Sequence, residues 1–369
     1  MRRLTPFVLT VLASALWAYP CPAAIEYSLT PLGTLRGGSE ALGINNHGQV
    51  VGYSDVVDNP DQLGGPYHAF LYDNGVMLDL FTLGGQSAAQ SINDMGVAVG
   101  YATYAGGAQT ASIFANGTAT PIDGLSGGSF AHGINNAGQI TGYRSTGTGV
   151  VAFLYSGGVL SDLGALPGGT TSYAFAINEN GKVVGVADID GSSSHAFLYD
   201  GTMMHDLGTV PGLAHSSALA INDNEQVVGS SANSGGPQRA FLYDNGAMVD
   251  LGTLGGANSL AYGISNAGEI VGWADTAGGS QVAAIWRGGT AYDLHGLIDS
   301  SGDGWGLVRA TAINDNGQIV GYGIDPDGNS RAFLLTPIAE VPEPGALVIW
   351  AVLGACGAGV AWRRRLRAA

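Results

Sequence analysis

The chain has 369 residues, of which 29 are acidic, 13 are basic and 61 are glycine. So much glycine disfavours long helices and favours many tight turns, and the formal net charge of −16 disfavours binding to nucleic acid and to anionic membranes. The two cysteines, Cys21 and Cys356, lie in the terminal segments, so we expect neither a disulfide framework nor cysteine catalysis in the middle of the chain.

Residues 1–23 have the features of a secretory signal peptide. Arg2 and Arg3 precede an apolar run that extends to Ala18, and small residues surround Ala23. Because this run is too short to span a bilayer comfortably, we expect the segment to be removed near Ala23 and the rest of the chain to be exported. An uncleaved membrane anchor is the alternative.

Residues 24–338 contain one sequence unit seven times. A motif such as GINNHGQVVGY, which begins at Gly43, recurs with its asparagine or serine every 42–49 residues. The marker residues are Asn45, Asn93, Asn135, Asn178, Asn222, Ser265 and Asn314. Tandem units of this length are typical of β-propellers.

Each unit is predicted to contain four short strands. In the first unit the segment 39–45 alternates small and larger residues, which is the period of a strand, and strands at 49–53, 68–72 and 77–80 follow. Turn residues such as Asn74-Gly75 separate the strands. No helical period occurs between residues 25 and 338, so each unit matches a propeller blade.

The two ends of the repeat region are complementary. The seventh unit ends with its third strand at 331–335, whereas the region begins with 29–35, which aligns with a fourth strand at 248–254. The predicted fold class is therefore all-β, a seven-bladed β-propeller of four-stranded blades that the N-terminal strand closes without leaving an unpaired edge. An open solenoid is the alternative, but it would need capping repeats, and we find none in the sequence.

The repeat also contains the triplet His-Ala-Phe or a variant of it. The triplet occurs as His68-Ala69-Phe70 and His195-Ala196-Phe197, and in variant form as Arg239-Ala240-Phe241 and Arg331-Ala332-Phe333. In these residues the chain resembles the HAF-repeat family of bacterial extracellular proteins over nearly all of residues 27–338. The resemblance implies export and a repeat architecture, and it brings no catalytic residue.

The variable loops between second and third strands form the predicted binding face. They share one face of the propeller with the glycine-rich links between blades, and variable loops on a rigid scaffold commonly carry binding function. The ligand-binding candidates are the acidic residues of three loops: Asp55, Asp58, Asp61, Asp188, Asp190, Asp325 and Asp327. We expect no cofactor. Calcium at 188–192, 299–303 or 325–329 is the alternative, although these segments also read as ordinary turns and lack the bidentate glutamate of a full calcium loop.

Two further residue types recur once in most units. The fourth-strand aspartates are predicted to make a structural hydrogen bond, and they are Asp79, Asp123, Asp162, Asp206, Asp250 and Asp293. The aromatic residues that follow the second strand are predicted to pack between blades, with stacking on sugar rings as the alternative, and they are Tyr53, Tyr101, Tyr143 and Trp273. The histidines have no metal-ligand spacing, and no nucleophile motif occurs.

The C-terminal segment has three parts. Residues 339–345 are a predicted linker that contains Pro342, Glu343 and Pro344, residues 346–362 a predicted transmembrane helix, and residues 363–369 a basic cytoplasmic tail. This order closely resembles the PEP-CTERM sorting signal of Gram-negative bacteria. The resemblance implies an exosortase-type sorting enzyme as partner, a transient anchor in the inner membrane, and delivery to the cell surface or the medium. Without both end segments, 7 basic and 27 acidic residues leave a net charge of −20.

Export, a rigid ring and the lack of a catalytic motif together predict a non-catalytic protein of the cell surface or extracellular matrix. We expect it to recognise glycans or other matrix components, exopolysaccharide among them, through the loop face. Its contact with a membrane would be limited to the C-terminal helix before processing. The alternatives are a propeller hydrolase or lyase acting on extracellular polysaccharide, which would need paired carboxylates about 5–10 Å apart, and a purely structural matrix protein.

Overall fold

The computed structural model describes residues 26–57, 66–82, 84–104, 107–115 and 117–338. These residues form seven four-stranded antiparallel sheets, and the first strands of successive sheets contact one another around a central channel. The predicted seven-bladed β-propeller is confirmed. The predicted signal peptide at 1–23 and the predicted segments 339–345, 346–362 and 363–369 lie outside the described residues. Within the described ranges, no helix is long and apolar enough to cross a membrane.

Each blade runs from a first, innermost strand to a fourth, outermost strand, and blades are numbered here in the chain order of their first strands. The first strands are Ser39–Ile44, Gly84–Ile92, Ser129–Ile134, Ser172–Ile177, His215–Ile221, Gly255–Ile264 and Gly306–Ile313. The second strands are Val50–Asp55, Ala98–Tyr104, Ile140–Thr146, Val183–Asp188, Val227–Ala232, Ile270–Thr276 and Ile319–Ile324. The third strands are Tyr67–Asp73, Gln109–Ala115, Gly149–Ser156, Ser194–Tyr199, Gln238–Asp244, Gln281–Arg287 and Ser330–Pro337. The fourth strands are Val76–Asp79, Thr118–Pro121, Val159–Gly164, Met204–Asp206, Ala247–Asp250, Thr290–Asp293 and, for blade seven, Tyr27–Gly33. Two short 3₁₀ helices, Leu294–Leu297 and Ser300–Gly302, lie between blades six and seven.

The N-terminal strand closes the ring. Tyr27–Gly33 pairs antiparallel with the third strand of blade seven, with Tyr27 opposite Pro337 and Leu29 opposite Leu335. Tyr27 and Leu29 are buried in a cluster with Phe333 and Leu335. The edge that blade seven would otherwise expose is therefore paired, as predicted.

Arg287 of blade six holds the start of the closing strand. Its Nη2 donates to the Tyr27 hydroxyl at 2.6 Å, its Nε donates to Glu269 Oε1 at 2.6 Å, and its Nη1 pairs with Glu26. Burial raises the pKa of Tyr27 to about 12, so the tyrosine stays a neutral hydrogen-bonding partner. The contact links the N-terminal strand to blade six as well as to blade seven.

The hydrophobic core is divided into seven clusters that bridge neighbouring blades. In one of them Val184 and Ala196 of blade four pack with Val227 and Phe241 of blade five. The phenylalanine of the repeated triplet is fully buried in five blades, as Phe70, Phe153, Phe197, Phe241 and Phe333. Its recurrence is therefore explained by core packing.

The repeated serine and the alanine of the triplet form one hydrogen bond between blades. The serine two residues before the first-strand alanine, as Ser39 before Ala41, accepts from the backbone N–H of the triplet alanine in the preceding blade, as in Ala196 N to Ser216 Oγ at 2.8 Å. The equivalent pairs are Ala69–Ser87, Ala111–Ser129, Ala152–Ser172, Ala240–Ser259 and, across the closure, Ala332–Ser39. Two separate parts of the repeat thus make one contact.

The fourth-strand aspartates also make structural contacts. They pair with the residue before the triplet alanine, or with a second-strand arginine in blade three, and the pairs are His68–Asp79, Arg144–Asp162, His195–Asp206 and Arg239–Asp250. Asp293 accepts from the backbone N–H of His295 at 2.9 Å and begins a 3₁₀ helix. The predicted structural hydrogen bond is confirmed for these five aspartates.

A β-bulge interrupts every first strand. In blade one the register shifts between Ala41 and Gly43, so Leu42 has no direct partner on the second strand, and all other blades shift at the same repeat position. The second strand carries a glycine opposite each bulge, and a Cβ there would lie 1.9–2.1 Å from a carbonyl oxygen of the first strand. These glycines are Gly52, Gly100, Gly142, Gly185, Gly229, Gly272 and Gly321. The close approach of the two strands therefore requires glycine in each blade.

The tight turns carry two circles of hydrogen bonds between blades. In the first, the marker asparagine donates its Nδ2 to the backbone carbonyl of the next marker residue at 2.9–3.1 Å, from Asn45 through Asn222 and again from Asn314. The second circle is made by the residue that follows each marker residue. Its backbone N–H donates at 2.8–3.1 Å to the side chain of the equivalent residue in the next blade, and the seven bonds form a closed circle. Its members, the turn-face ring, are Asn46, Asp94, Asn136, Glu179, Asp223, Asn266 and Asp315.

Ser265 interrupts the first circle, because its shorter side chain carries no amide. We expect Ser265→Asn to supply the link to Asn314 and to raise the free energy of unfolding by about 1 kcal/mol, the usual net value of one hydrogen bond. Urea denaturation measures the effect. Ser280→Asn, on the opposite face of the same blade, is the control and should change nothing; a destabilised Ser265→Asn protein would contradict the expectation.

Candidate functional site

The described acidic loop residues that were ligand-binding candidates make hydrogen bonds within the loops and links that carry them. Asp190 accepts from the backbone N–H groups of Ser192 and Ser193 at 2.9 and 2.6 Å, and these bonds lower its pKa. Asp325 accepts from the backbone N–H of Asp327 at 3.0 Å, and it also lies 3.5 Å from Arg331. The carboxylates of Asp190 and Asp325 thus stabilise turns, and Asp327 takes part through its backbone.

Asp188 and Asp55 bind the glycine-rich link that leads into their own blade. Asp188 Oδ1 accepts from the backbone N–H groups of Thr170 and Thr171 at 2.7 and 2.6 Å. Asp55 Oδ2 accepts from the N–H of Gly38 at 3.3 Å. Asp58 and Asp61 lie outside the described residues. In the described part of the chain, no group of three or more histidine, cysteine, aspartate or glutamate side chains could hold a metal ion.

The central channel brings together a more varied set of side chains. The seven bulged residues of the first strands all line one cavity of about 430 Å³, and we call them the bulge ring: Leu42, Gln90, His132, Phe175, Leu219, Tyr262 and Thr311. Bulges commonly redirect a side chain in this way. The repeat positions on either side are nearly constant, whereas the bulge ring contains apolar, aromatic, amide, hydroxyl and imidazole groups.

A ring of isoleucines separates this cavity from a second one. The isoleucine ring consists of Ile44, Ile92, Ile134, Ile177, Ile221, Ile264 and Ile313, all of which line the second cavity, and four of which also line the first. The second cavity measures about 290 Å³ and is lined by five of the marker residues and by the turn-face ring. The channel thus has a mixed cavity toward the loop face, an apolar constriction, and a polar cavity at the turn face.

Glu40 and Arg309 lie on the loop-face side of the first cavity. Their side chains approach to 3.8 Å, between Glu40 Oε1 and Arg309 Nη1, while Glu40 Oε2 accepts from the Tyr53 hydroxyl at 2.7 Å. The Arg309 guanidinium lies 5.6 Å from the centre of the Tyr262 ring and 5.2 Å from that of Tyr322. Burial raises the pKa of Glu40, and the Tyr53 hydrogen bond and the charge of Arg309 oppose that rise.

Aromatic rings extend from this pair toward blade four. The hydroxyls of Tyr67 and Tyr101 lie 2.7 Å apart, and the Tyr101 ring packs edge-on against Phe130 with centroids 5.2 Å apart. Tyr143 lies 5.1 Å from Phe130 and 4.9 Å from Tyr173 of the next blade. The predicted packing between blades is confirmed for Tyr101 and Tyr143, while Tyr53 packs against Tyr67 within blade one.

His132 of the bulge ring is held among these rings. It stacks on Tyr143 with centroids 5.3 Å apart, meets Phe175 edge-on at 5.3 Å, and its buried Nε2 has no hydrogen-bond partner. Burial lowers the pKa of His132 to about 4. The imidazole is therefore neutral at physiological pH.

We expect His132 to make the protein sensitive to mild acid. The unfolded chain binds a proton at the ordinary value of 6.5, whereas the folded protein resists protonation to about 4. The free energy of unfolding should therefore fall as the pH drops through this window, by about 3 kcal/mol from this group. Urea denaturation at pH 7 and pH 4 measures the free energy of unfolding that each protein loses on acidification. This loss should be smaller by about 3 kcal/mol in His132→Gln than in the unmodified protein. An equal loss in both proteins would contradict the expectation.

Sequence reasoning missed Glu40, Arg309 and the bulge ring as a possible site. Glu40 and Arg309 belong to the first and last repeats and meet only because the ring closes. The one available signal was the second variable position within S-x-A-x-(G/A)-I-N, where a nearly constant framework surrounds a residue that takes six identities in seven units.

Two family models match parts of the chain. Residues 167–333 match a family described as "Protein of unknown function (DUF3466)", and residues 340–365 match the PEP-CTERM protein-sorting motif. The second match confirms the predicted motif at Pro342, Glu343 and Pro344. The chain is therefore an exported protein that is anchored in a membrane before an exosortase processes it. None of the curated proteins matches this sequence.

Solved structures with similar folds share little sequence with this chain. TolB from Acinetobacter baumannii is 11% identical with a TM-score of 0.47, and the match covers 82% of this chain and 64% of TolB. The β-propeller domain of the Trilobed protease from Pyrococcus furiosus is 13% identical with a TM-score of 0.47, over 70% of this chain and 80% of that domain. Puromycin hydrolase complexed with PGG is 13% identical with a TM-score of 0.50, over 85% of this chain and 55% of the hydrolase. The last likeness shows the propeller fold alone.

Proposed function

We propose that this exported protein binds a glycan of the extracellular matrix in the loop-face cavity of its central channel. The observation that carries the proposal is the bulge ring, which presents one variable repeat position from each of the seven blades to one cavity while the scaffold around it stays nearly constant. This supports a site in the channel, whereas the carboxylates of Asp188, Asp190 and Asp325 accept hydrogen bonds from turns and links.

The cavity has the properties of a small-molecule site. Its volume of about 430 Å³ lies within the usual range for such sites. Phe175 and Tyr262 offer aromatic surface, and Gln90 and Glu40 offer hydrogen-bonding groups. Sugar rings need this combination, because they have both an apolar face and a rim of hydroxyls.

The sorting motif supports an extracellular role for this binding. Export brings the domain to the compartment where polysaccharide and other matrix components occur. The triplets that resemble the HAF-repeat family agree with this location, since that family consists of extracellular repeat proteins. We propose the cell surface or the extracellular matrix as the final location.

The arrangement of carboxylates favours binding over hydrolysis. Among the described residues that line the loop-face cavity, Glu40 is the one carboxylate. The acidic members of the turn-face ring line the other cavity, beyond the isoleucine ring. A glycosidase or lyase with two carboxylates would need a second acid beside Glu40.

Filling the cavity tests the proposal. Leu219→Trp adds a bulky ring inside the cavity, and we expect it to lower the affinity for secreted polysaccharide at least tenfold in a pull-down or by calorimetry. Val159→Trp introduces the same residue at an exposed position on blade three and is the matched control. Unchanged binding by a folded Leu219→Trp protein would exclude the cavity as the site.

A further inference from the structure

We propose that the cavity recognises the terminal residue of a neutral glycan, with two adjacent hydroxyls bridging Glu40 and Arg309. This inference rests on the proposed function and adds the chemical class of the ligand and the part of the chain that is bound. It follows from the geometry of the Glu40–Arg309 pair, from the charge of the domain and from the apolar constriction beneath the cavity.

Glu40 retains one acceptor for a ligand. Its Oε2 is used by the Tyr53 hydroxyl, which fixes the orientation of the carboxylate, whereas its Oε1 is 3.8 Å from Arg309 Nη1 and so beyond hydrogen-bonding distance. The side chain is 9% exposed, so little water competes for this oxygen. A ligand hydroxyl could donate to Glu40 Oε1 in this position.

Arg309 supplies the complementary donor. Tyr262 and Tyr322 hold its guanidinium from two sides, and Tyr322 also makes a side-chain hydrogen bond with it. Its Nε is buried, whereas the side chain as a whole is 31% exposed, so the terminal N–H groups are the donors that face a ligand. A carboxylate acceptor beside a guanidinium donor matches two neighbouring hydroxyls, one of which donates while the other accepts.

Charge selects a neutral ligand. The domain between the end segments carries a net charge of −20, which repels anions such as uronate chains. Cations are disfavoured locally, because Arg309 is the one cationic side chain among the described residues that line the cavity and it would face an amino sugar directly. Glu40 in turn offsets the attraction of Arg309 for a carboxylate. An uncharged polyol is repelled neither by the negative charge of the domain nor by Arg309.

The isoleucine ring makes the site specific for chain ends. All seven isoleucines line the second cavity, and four of them also line the first. A polysaccharide that enters from the loop face would meet these apolar side chains, which offer no hydrogen bond to its hydroxyls. The cavity therefore accommodates the end of a chain and not an internal segment.

Calorimetry with defined sugars tests the inference. The probes are methyl glycosides of glucose, galactose and mannose, together with glucuronate and glucosamine, and then oligomers of two, four and eight units of the best neutral sugar. We expect at least one neutral glycoside to bind, both charged sugars to bind at least tenfold more weakly, and all three oligomers to bind one protein each with equal affinity per chain. Glu40→Gln and Arg309→Gln should each weaken binding at least tenfold, whereas Glu225→Gln and Arg144→Gln, outside the cavity, should not.

Several outcomes would overturn this inference. They are tighter binding of glucuronate than of every neutral glycoside, binding of two or more proteins to one octamer, and full affinity in folded Glu40→Gln and Arg309→Gln proteins. If Leu219→Trp abolishes polysaccharide binding but no glycoside competes for the site, recognition of a neutral terminus is wrong while the proposed function stands. If Leu219→Trp leaves polysaccharide binding intact, the proposed function fails as well.

Discussion

Gly229→Ala should lower the free energy of unfolding by about 4 kcal/mol or more, or prevent folding altogether. A Cβ at this second-strand position would lie 2.0 Å from the carbonyl oxygen of Ser217 and 3.0 Å from Cα of Ala218. Both obstacles are backbone atoms of the bulged first strand, so no side chain can rotate to make room. The strands would have to separate and lose hydrogen bonds near the channel. Thermal and urea denaturation of the purified protein measure the loss.

Gly147→Ala is the matched control for this prediction. A Cβ at Gly147 would have no neighbouring atom within 4 Å, and the backbone there is not left-handed, so alanine should be accepted with a change within about 0.5 kcal/mol. A Gly229→Ala protein as stable as Gly147→Ala would show that the bulged strand can yield. The explanation of the seven repeated glycines by close strand approach would then be wrong.

Leu29→Asp should be the most damaging single change in the closing strand, with a loss of about 4 kcal/mol or more. Leu29 is 5% exposed and packs in a cluster with Ile313, Phe333 and Leu335. The substitution would bury an unpaired carboxylate and weaken the strand that completes blade seven. We expect the variant to begin unfolding at a lower denaturant concentration than the unmodified protein. Amide hydrogen exchange in the third strand of blade seven should also be faster.

Thr30→Asp places the same charge one residue further along the same strand. Thr30 is exposed, so its substitution should change the free energy of unfolding by no more than about 0.5 kcal/mol. The two variants introduce the same charge and differ in the face of the strand that carries it. Equal stability of the two proteins would contradict the observed pairing of the closing strand.

The architecture could be predicted because the same pattern of strands and turns recurs in seven units. The marker residues gave the period, and the unmatched strands at the two ends predicted closure before any contact was known. Leu29 and Leu335 are far apart in sequence, but the missing fourth strand of the last unit left one partner for the first strand of the region. Chain topology thus provided what local propensity could not.

The candidate site was not predictable in the same way. Asp190 and Asp325 have the composition of a ligand site and of a tight turn alike, and only the positions of the backbone N–H groups distinguish the two. Glu40 and Arg309 come together across the closure, and no spacing in the sequence relates them. The bulge at Leu42 breaks the strict alternation of a strand, so a regular strand pattern did not identify the residue that enters the channel.

The β-bulge separates selection for recognition from selection for folding. Since Leu42 and its six counterparts make no direct backbone pair with the second strand, mutation at these positions should leave the ladder, the blade-to-blade serine contacts and the required glycines in place. Thr311 is the exception, because its hydroxyl donates to the carbonyls of Ala41 and Val320. Sequence divergence at the bulge ring could therefore alter the ligand preference one blade at a time, because its seven positions vary nearly independently and all line the same cavity. Duplicated copies of such a gene would be expected to differ most at these loci and to retain the same framework elsewhere.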